Sequence, residues 1–201
     1  MELSYARKIE ERIENVDDGT ILKNADFIDI ANQETIRRTL NRLVQAGRIR
    51  RVLNGLYEKP KYSKLLDEYV ATDPNAVAHT LAKMYRWTIV PSGDTALNML
   101  GLSTQVTSSW SYISDGPYRN FEWDNTKLEF KHRTNKEVSG LSYKTALIIQ
   151  ALKALGKDNI TTEVINKIAS KLTENEKQAL LDEGITSTRW VYDVIRKICG
   201  E

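Results

Sequence analysis

Between Gln33 and Pro60 the spacing of apolar residues changes period, and that change limits the folds open to the chain. Ile36, Leu40, Leu43 and Val44 recur at i, i+4, i+7 and i+8, which is one stripe of a helix predicted from Gln33 to about Ala46. Asn32 is placed to cap it and Gly47 to end it. The runs RIRRVL and LYEKP then flank Asn54-Gly55. An Asn-Gly pair between two β-prone runs predicts a hairpin, with both turn residues at positive φ. Upstream, Ile9, Ile13 and Val16 predict a helix over 5–16, capped by Ser4 and ended by Asp17-Asp18-Gly19. The stretch ILKNADFIDIANQ reads as a short second helix with Asn24 as its cap. Three helices followed by a hairpin is the order of a winged helix-turn-helix.

The same segment gathers Arg37, Arg38, Arg42, Arg48, Arg50, Arg51 and Lys59 against Glu34 and Glu58. The whole chain has 201 residues, 28% of them charged, and a net charge of only +2, so affinity for nucleic acid has to come from local clustering. On the predicted helix Gln33, Thr35, Arg37, Arg38, Asn41 and Arg42 lie mostly off the apolar stripe, where they would face the major groove of DNA. In and around the hairpin, Arg48, Arg50, Arg51 and Asn54 sit where phosphates would pass. Carboxylates are nearly absent between Thr35 and Leu56, whereas the first helix carries Glu10, Glu11 and Glu14. That asymmetry favours DNA over a merely solvated face. A winged domain used for protein contacts is the other reading.

From Tyr62 the composition changes, which predicts a winged domain over 1–61 and a mixed α+β domain over 62–201, with a small sheet at about 87–133 and a helical bundle at about 141–199. KYSKLLDEYVATDPNAVAHTLAKMY reads as helical segments broken near Pro74. WTIV, VTSSWSYIS, RNFEWD and KLEFKHR read as strands, with turns at Asp115-Gly116-Pro117 and Asp124-Asn125. Ser92 is placed to cap a helix that Gly101 ends. After Ser139-Gly140 the pattern is helical, with caps expected at Thr161, Thr173 (a capping box with Glu176) and Ser187. The lone Cys199 cannot form an internal disulfide. No apolar run approaches the ~20 residues that span a bilayer, and the N-terminus lacks a signal-peptide core, so a cytoplasmic protein with no membrane partner is expected.

Catalytic constellations are weak, and no enzyme activity, cofactor or metal is expected. His79 and His132 have no second ligand at metal spacing, and Cys199 has no neighbouring base. PSGDTAL opens a helix but lacks the lysine and second glycine of a phosphate loop, and Asp94 would repel phosphate there. Asp115, Glu122, Asp124 and Glu129 with Lys131 could build a nuclease-like metal site, which leaves a metal- or nucleotide-dependent enzyme at 91–133 as the alternative. Yet Glu129, Lys131 and Arg133 alternate along one strand, as a solvent-facing edge does. Core packing accounts for most of the aromatic residues of the sheet. Tyr118-Arg119 is a candidate contact for RNA or protein.

The segment DFIDIANQETIRRTLNRLVQAGRIRRVLNGLYEKP resembles the N-terminal winged domain of AbiEi-type antitoxins of type IV toxin–antitoxin systems, and a related group of bacterial proteins of similar length. PSGDTALNMLGLSTQV with SDGPYRNFEWDNTKLEFKHR resembles the start of their antitoxin domain, where a Gly-Leu-Ser-Thr-Gln-like run precedes a small sheet. The resemblance covers roughly residues 20–135; the helical C-terminal third carries no such motif. It implies an autorepressor that binds double-stranded operator DNA. It also implies that the second domain counteracts a nucleotidyltransferase-type toxin without a stable complex.

Overall fold

The computed structural model describes residues 4–105, 107, 109–134, 138 and 140–201; Val106, Ser108 and Ser139 of the runs quoted above lie outside them. The described residues form a mixed α+β fold of α-helices and small sheets. The chain divides into two units at Leu81/Ala82.

The first unit opens with α1 (Tyr5–Glu14), whose cap is Ser4. In place of the expected second helix capped by Asn24, residues Ile21–Lys23 form a strand, β1, and Asn24–Phe27 a single 3-10 turn. Leu22 lies opposite Tyr57 of a neighbouring strand, and the turn is closed by Asp26, which accepts the Lys23 N–H at 2.9 Å. A strand of three residues is too short to display its period of two. Helix α2 (Gln33–Gln45) is capped by Asn32, whose Oδ1 accepts the Thr35 N–H at 2.9 Å. It ends with Gly47 at φ +68, its N–H bonded to the Val44 carbonyl and that of Arg48 to the Leu43 carbonyl, both at 3.0 Å. This is a Schellman stop, and it needs a left-handed residue at Gly47.

Strands β2 (Arg50–Leu53) and β3 (Leu56–Glu58) form the expected hairpin, with β3 central in an antiparallel sheet of order β1-β3-β2. The turn differs in detail: Gly55 has positive φ but Asn54 does not, and an irregularity between Arg51 and Leu53 shifts the register there. One face of the sheet packs Leu22 and Tyr57 with Ile9, Ile13, Ile36, Leu40 and Leu43 of the two helices. That core is why α2 keeps a fixed angle to the hairpin.

Beyond Lys61 the chain does not turn helical at once. Strands β4 (Tyr62–Ser63) and β5 (Glu68–Tyr69) form a small ladder, with the Tyr62 and Tyr69 rings edge to face at 5.2 Å and Leu65 at its tip 93% exposed. Pro74 begins helix α3 (Pro74–Tyr85), the first-turn position where its missing N–H costs nothing. The first unit therefore includes this ladder and α3 as far as Leu81, past the boundary expected at residue 61.

The second unit holds a four-stranded sheet of order β6-β7-β9-β8: β6 (Ile89–Pro91), β7 (Ser109–Ser114), β8 (Arg119–Trp123) and β9 (Thr126–His132). Strands β7 and β9 are parallel, and β8–β9 is a hairpin turning at Asp124, φ +46. Pro91 is tolerated because β6 is an edge. Helix α4 (Gly93–Met99) follows Ser92, whose side chain makes no cap bond; Thr95 Oγ1 instead accepts the Ser111 N–H at 2.8 Å and ties α4 to β7.

Further on lie α5 (Tyr143–Leu155), α6 (Thr162–Ala169), α7 (Glu174–Gly184) and α8 (Arg189–Cys199). Thr145–Leu152 of α5 are all buried, so this helix is the centre around which the others pack. Thr161 caps α6, and Thr173 with Glu176 forms the expected capping box. The cap of α8 is Thr188 rather than Ser187, because the Ser187 N–H still closes the preceding turn on the Gly184 carbonyl. Among the described residues no helix is long and apolar enough to cross a membrane.

Candidate nucleic-acid interface

The exposed surface of α2 divides by helical angle into two strips. Arg42 turns toward α1, where its guanidinium pairs with Glu10; Arg48, just past the helix, pairs with Glu10 at 3.4 Å and with Glu14. Lys59 is drawn the same way, donating to the Glu14 and Val16 carbonyls at 3.0 and 2.7 Å and lying 3.2 Å from Asp18. The carboxylates missing from the arginine-rich segment are thus supplied by the first helix, over 30 residues away in sequence. Local composition carries no trace of that pairing.

Arg50 is also engaged internally. On β2 it lies directly opposite Glu58, with which it pairs, and its Nη2 donates to the Val70 carbonyl. The Glu58 side chain is only 3% exposed and also accepts the Thr72 hydroxyl at 2.7 Å. Arg50 is an anchor, and of the sequence-predicted cations it is the most withdrawn from solvent among those ion-paired on α2 and β2.

The other strip faces the hairpin. Arg51, one residue on from Arg50 and so on the opposite face of the strand, donates to Asn41 Oδ1 of α2, while its guanidinium carbon sits 5.5 Å from the Tyr57 ring centroid. Helix and ribbon are thereby joined into one continuous face. Asn41, Val44, Gln45 and Arg51 line a shallow concavity of about 380 Å³ between them. Arg37 lies one turn from Asn41 on the same strip and is exposed. Arg38 is exposed too, in a surface pair with Glu34 at 2.6 Å. An i,i+4 surface pair of that kind is worth about 0.3–0.5 kcal/mol and yields readily to a phosphate. Gln33 and Asn54 are exposed, and Thr35 is half-buried with its N–H on the cap.

Of the ten residues predicted from sequence, the structure brings Asn41 and Arg51 together; Gln33, Arg37, Arg38 and Asn54 are exposed and Thr35 is half-buried. Arg42, Arg48 and Arg50 are tied to acidic partners. Sequence reasoning missed Gln45 and Val44, which line the concavity. Val44 fits the buried stripe by its spacing, yet it is only partly buried, and the fourth buried position is Thr39.

In the second unit the carboxylates of 91–133 are dispersed. Asp115 accepts the Thr88 N–H at 2.9 Å, Glu122 lies 3.8 Å from Lys127, and Glu129 lies 3.4 Å from Lys131. Among the described residues no three His, Cys, Asp or Glu side chains group as a metal set. Cys199 is half-buried, its thiol donating to the Lys177 carbonyl at 3.5 Å, and burial pushes it up from the ordinary thiol range.

No curated protein matches the chain. A family described as of unknown function, DUF6088, matches residues 8–180, from within α1 through the α2–ribbon segment and the sheet to within α7. The chain belongs to the DUF6088 family.

Proposed function

We propose that the first unit is a winged helix-turn-helix that binds double-stranded operator DNA, and that the chain represses its own operon. The order helix, strand, 3-10 turn, helix, ribbon, with the first strand paired to the ribbon, supports this reading, the turn standing where the architecture has its second helix. Helix α2 would enter the major groove with Arg37, Arg38 and Asn41 toward the bases, and Arg51 on the ribbon would meet the backbone. The observation that carries this reading is the Arg51–Asn41 hydrogen bond, which makes one surface of two elements. The antitoxin role, opposition to a nucleotidyltransferase-type toxin without a stable complex, rests on the resemblance of residues 91–133 alone.

Anisotropy titrations with a duplex from upstream of the gene and a scrambled duplex, over a salt series, test the DNA reading. Replacing Arg51 by alanine should lower the slope of log K against log salt by about 0.9 for one phosphate left without its cation, and Arg37→Ala or Arg38→Ala should weaken binding of the upstream duplex by about 1–3 kcal/mol and narrow its margin over the scrambled one. Arg42→Ala and Arg48→Ala should leave the slope unchanged. No binding of either duplex at low salt, or wild-type affinity, specificity and slope in all three of the first variants, refutes it. Growth rescue on co-expression with a neighbouring nucleotidyltransferase gene tests the antitoxin role separately.

A further inference from the structure

One end of the second unit's sheet carries a pile of flat groups that the duplex reading does not use. The Tyr85 and Trp87 rings stack 4.6 Å apart at 23°, and the Arg119 guanidinium carbon lies 4.8 Å from the Tyr85 centroid and 5.9 Å from that of Trp87. The indole is held firmly. A Cβ on Gly116 would stand 2.3 Å from Trp87 Cε2, so the ring rests on bare backbone, and its edge meets Phe130 with centroids 5.5 Å apart. Alongside stands Tyr118, 67% exposed, with Arg133 Nη1 3.4 Å from its hydroxyl and its ring edge to face with His132. His132 is itself fixed by donating Nδ1–H to the Gly116 carbonyl at 2.9 Å. Arg119 and Arg133 are both exposed, and the nearby carboxylates Asp115, Glu122 and Glu129 are engaged by Thr88, Lys127 and Lys131.

We propose that this end of the sheet binds single-stranded nucleic acid. Arg119, set against both the Tyr85 and the Trp87 ring, offers a planar cation to one base. Tyr118 offers an exposed ring to a second, and Arg133 meets the intervening phosphate. A charged plane, an exposed aromatic ring and an arginine with no acidic partner among the described residues together match a chain of alternating bases and phosphates; a duplex, whose bases are already stacked, would leave both platforms empty. The site lies wholly within the second unit and is independent of the α2–ribbon face.

The test titrates the full-length protein with fluorescein-labelled 12-nucleotide uridine and deoxythymidine strands and a 12-base-pair duplex at low salt. Both single strands should bind; a preference for the uridine strand would assign the natural ligand to RNA, and equal binding to single strands of either sugar. Tyr118→Ala and Arg119→Ala should each weaken single-strand binding by about tenfold, as expected for loss of one stacked base, and leave duplex binding unchanged. Arg119→Lys, which keeps the charge and the fold but not the plane, should lose most of what Arg119→Ala loses. Arg51→Ala should do the reverse, weakening duplex binding only. Failure of wild type to bind either strand, or wild-type affinity in Tyr118→Ala and Arg119→Ala, overturns the proposal; wild-type affinity in Arg119→Lys overturns the stacking role. Each result leaves the duplex reading to stand or fall on its own arm.

Discussion

Removing the Arg50 side chain should cost far more than removing that of its neighbour Arg51. Arg50→Ala strands Glu58, a carboxylate 3% exposed, with the Thr72 hydroxyl its remaining side-chain partner among the described residues. Breaking a fully buried ion pair from one side costs about 3–5 kcal/mol. The Arg50 side chain is 31% exposed, so water can enter the space it leaves, and the expected loss falls to about 2–3 kcal/mol. Arg51 rests on a ring face and one surface hydrogen bond, so Arg51→Ala should change stability by no more than about 0.5 kcal/mol. Urea denaturation followed by circular dichroism reads both. With a slope of about 2 kcal/mol per molar urea, Arg50→Ala should move the midpoint down by roughly 1 M. Adding Glu58→Gln to Arg50→Ala should recover a substantial part of the loss, since a neutral amide no longer needs a counter-ion. A midpoint unmoved by Arg50→Ala, or a double variant no more stable than the single one, would show that Glu58 is not held as a buried charge.

Two further substitutions probe the second unit. Gly116→Ala drives a methyl group into the Trp87 ring and should destabilise by about 1–3 kcal/mol, with a shift in tryptophan emission as the indole leaves Tyr85; an unchanged spectrum and midpoint would contradict the close approach. Burial pushes the Glu183 carboxyl up, but hydrogen bonds from Thr145 and from the Ser142 N–H and hydroxyl outweigh it and hold the group below its ordinary value of 4.5. Its contribution is therefore present above that pH and lost as pH falls through the lower, folded value. Thermal melts from about pH 6 down to about pH 3 should show Glu183→Gln with a shallower acid decline than wild type, and parallel curves would show that the clamp on the start of α5 is inert.

What is legible in the sequence is what is local. The stripe, cap and Gly47 stop of α2, the Asn54-Gly55 hairpin, and the caps at Thr161 and Thr173 each rest on residues within a few positions of one another. The misreadings have a common cause in range. Leu22 fits a helix or a strand until Tyr57 is seen opposite it, and Tyr62 finds Tyr69 across a ladder rather than along a helix. Glu10 and Glu14 neutralise arginines that look unopposed in sequence because the acids arrive from another helix. The parallel pairing of β7 with β9 leaves no local mark either, since the intervening β8 pairs with β9 in the ordinary hairpin way.

Arg50 and Arg51 are consecutive, so the pleat sends one to Glu58 and the other to Asn41. Their side chains are identical, and only register distinguishes the two jobs. A single inserted or deleted residue in β2 would exchange them and turn Val52, buried on the strand, to the wrong side. Homologous sequences should therefore vary freely in length around the exposed Leu65 tip while holding the ribbon to a constant count.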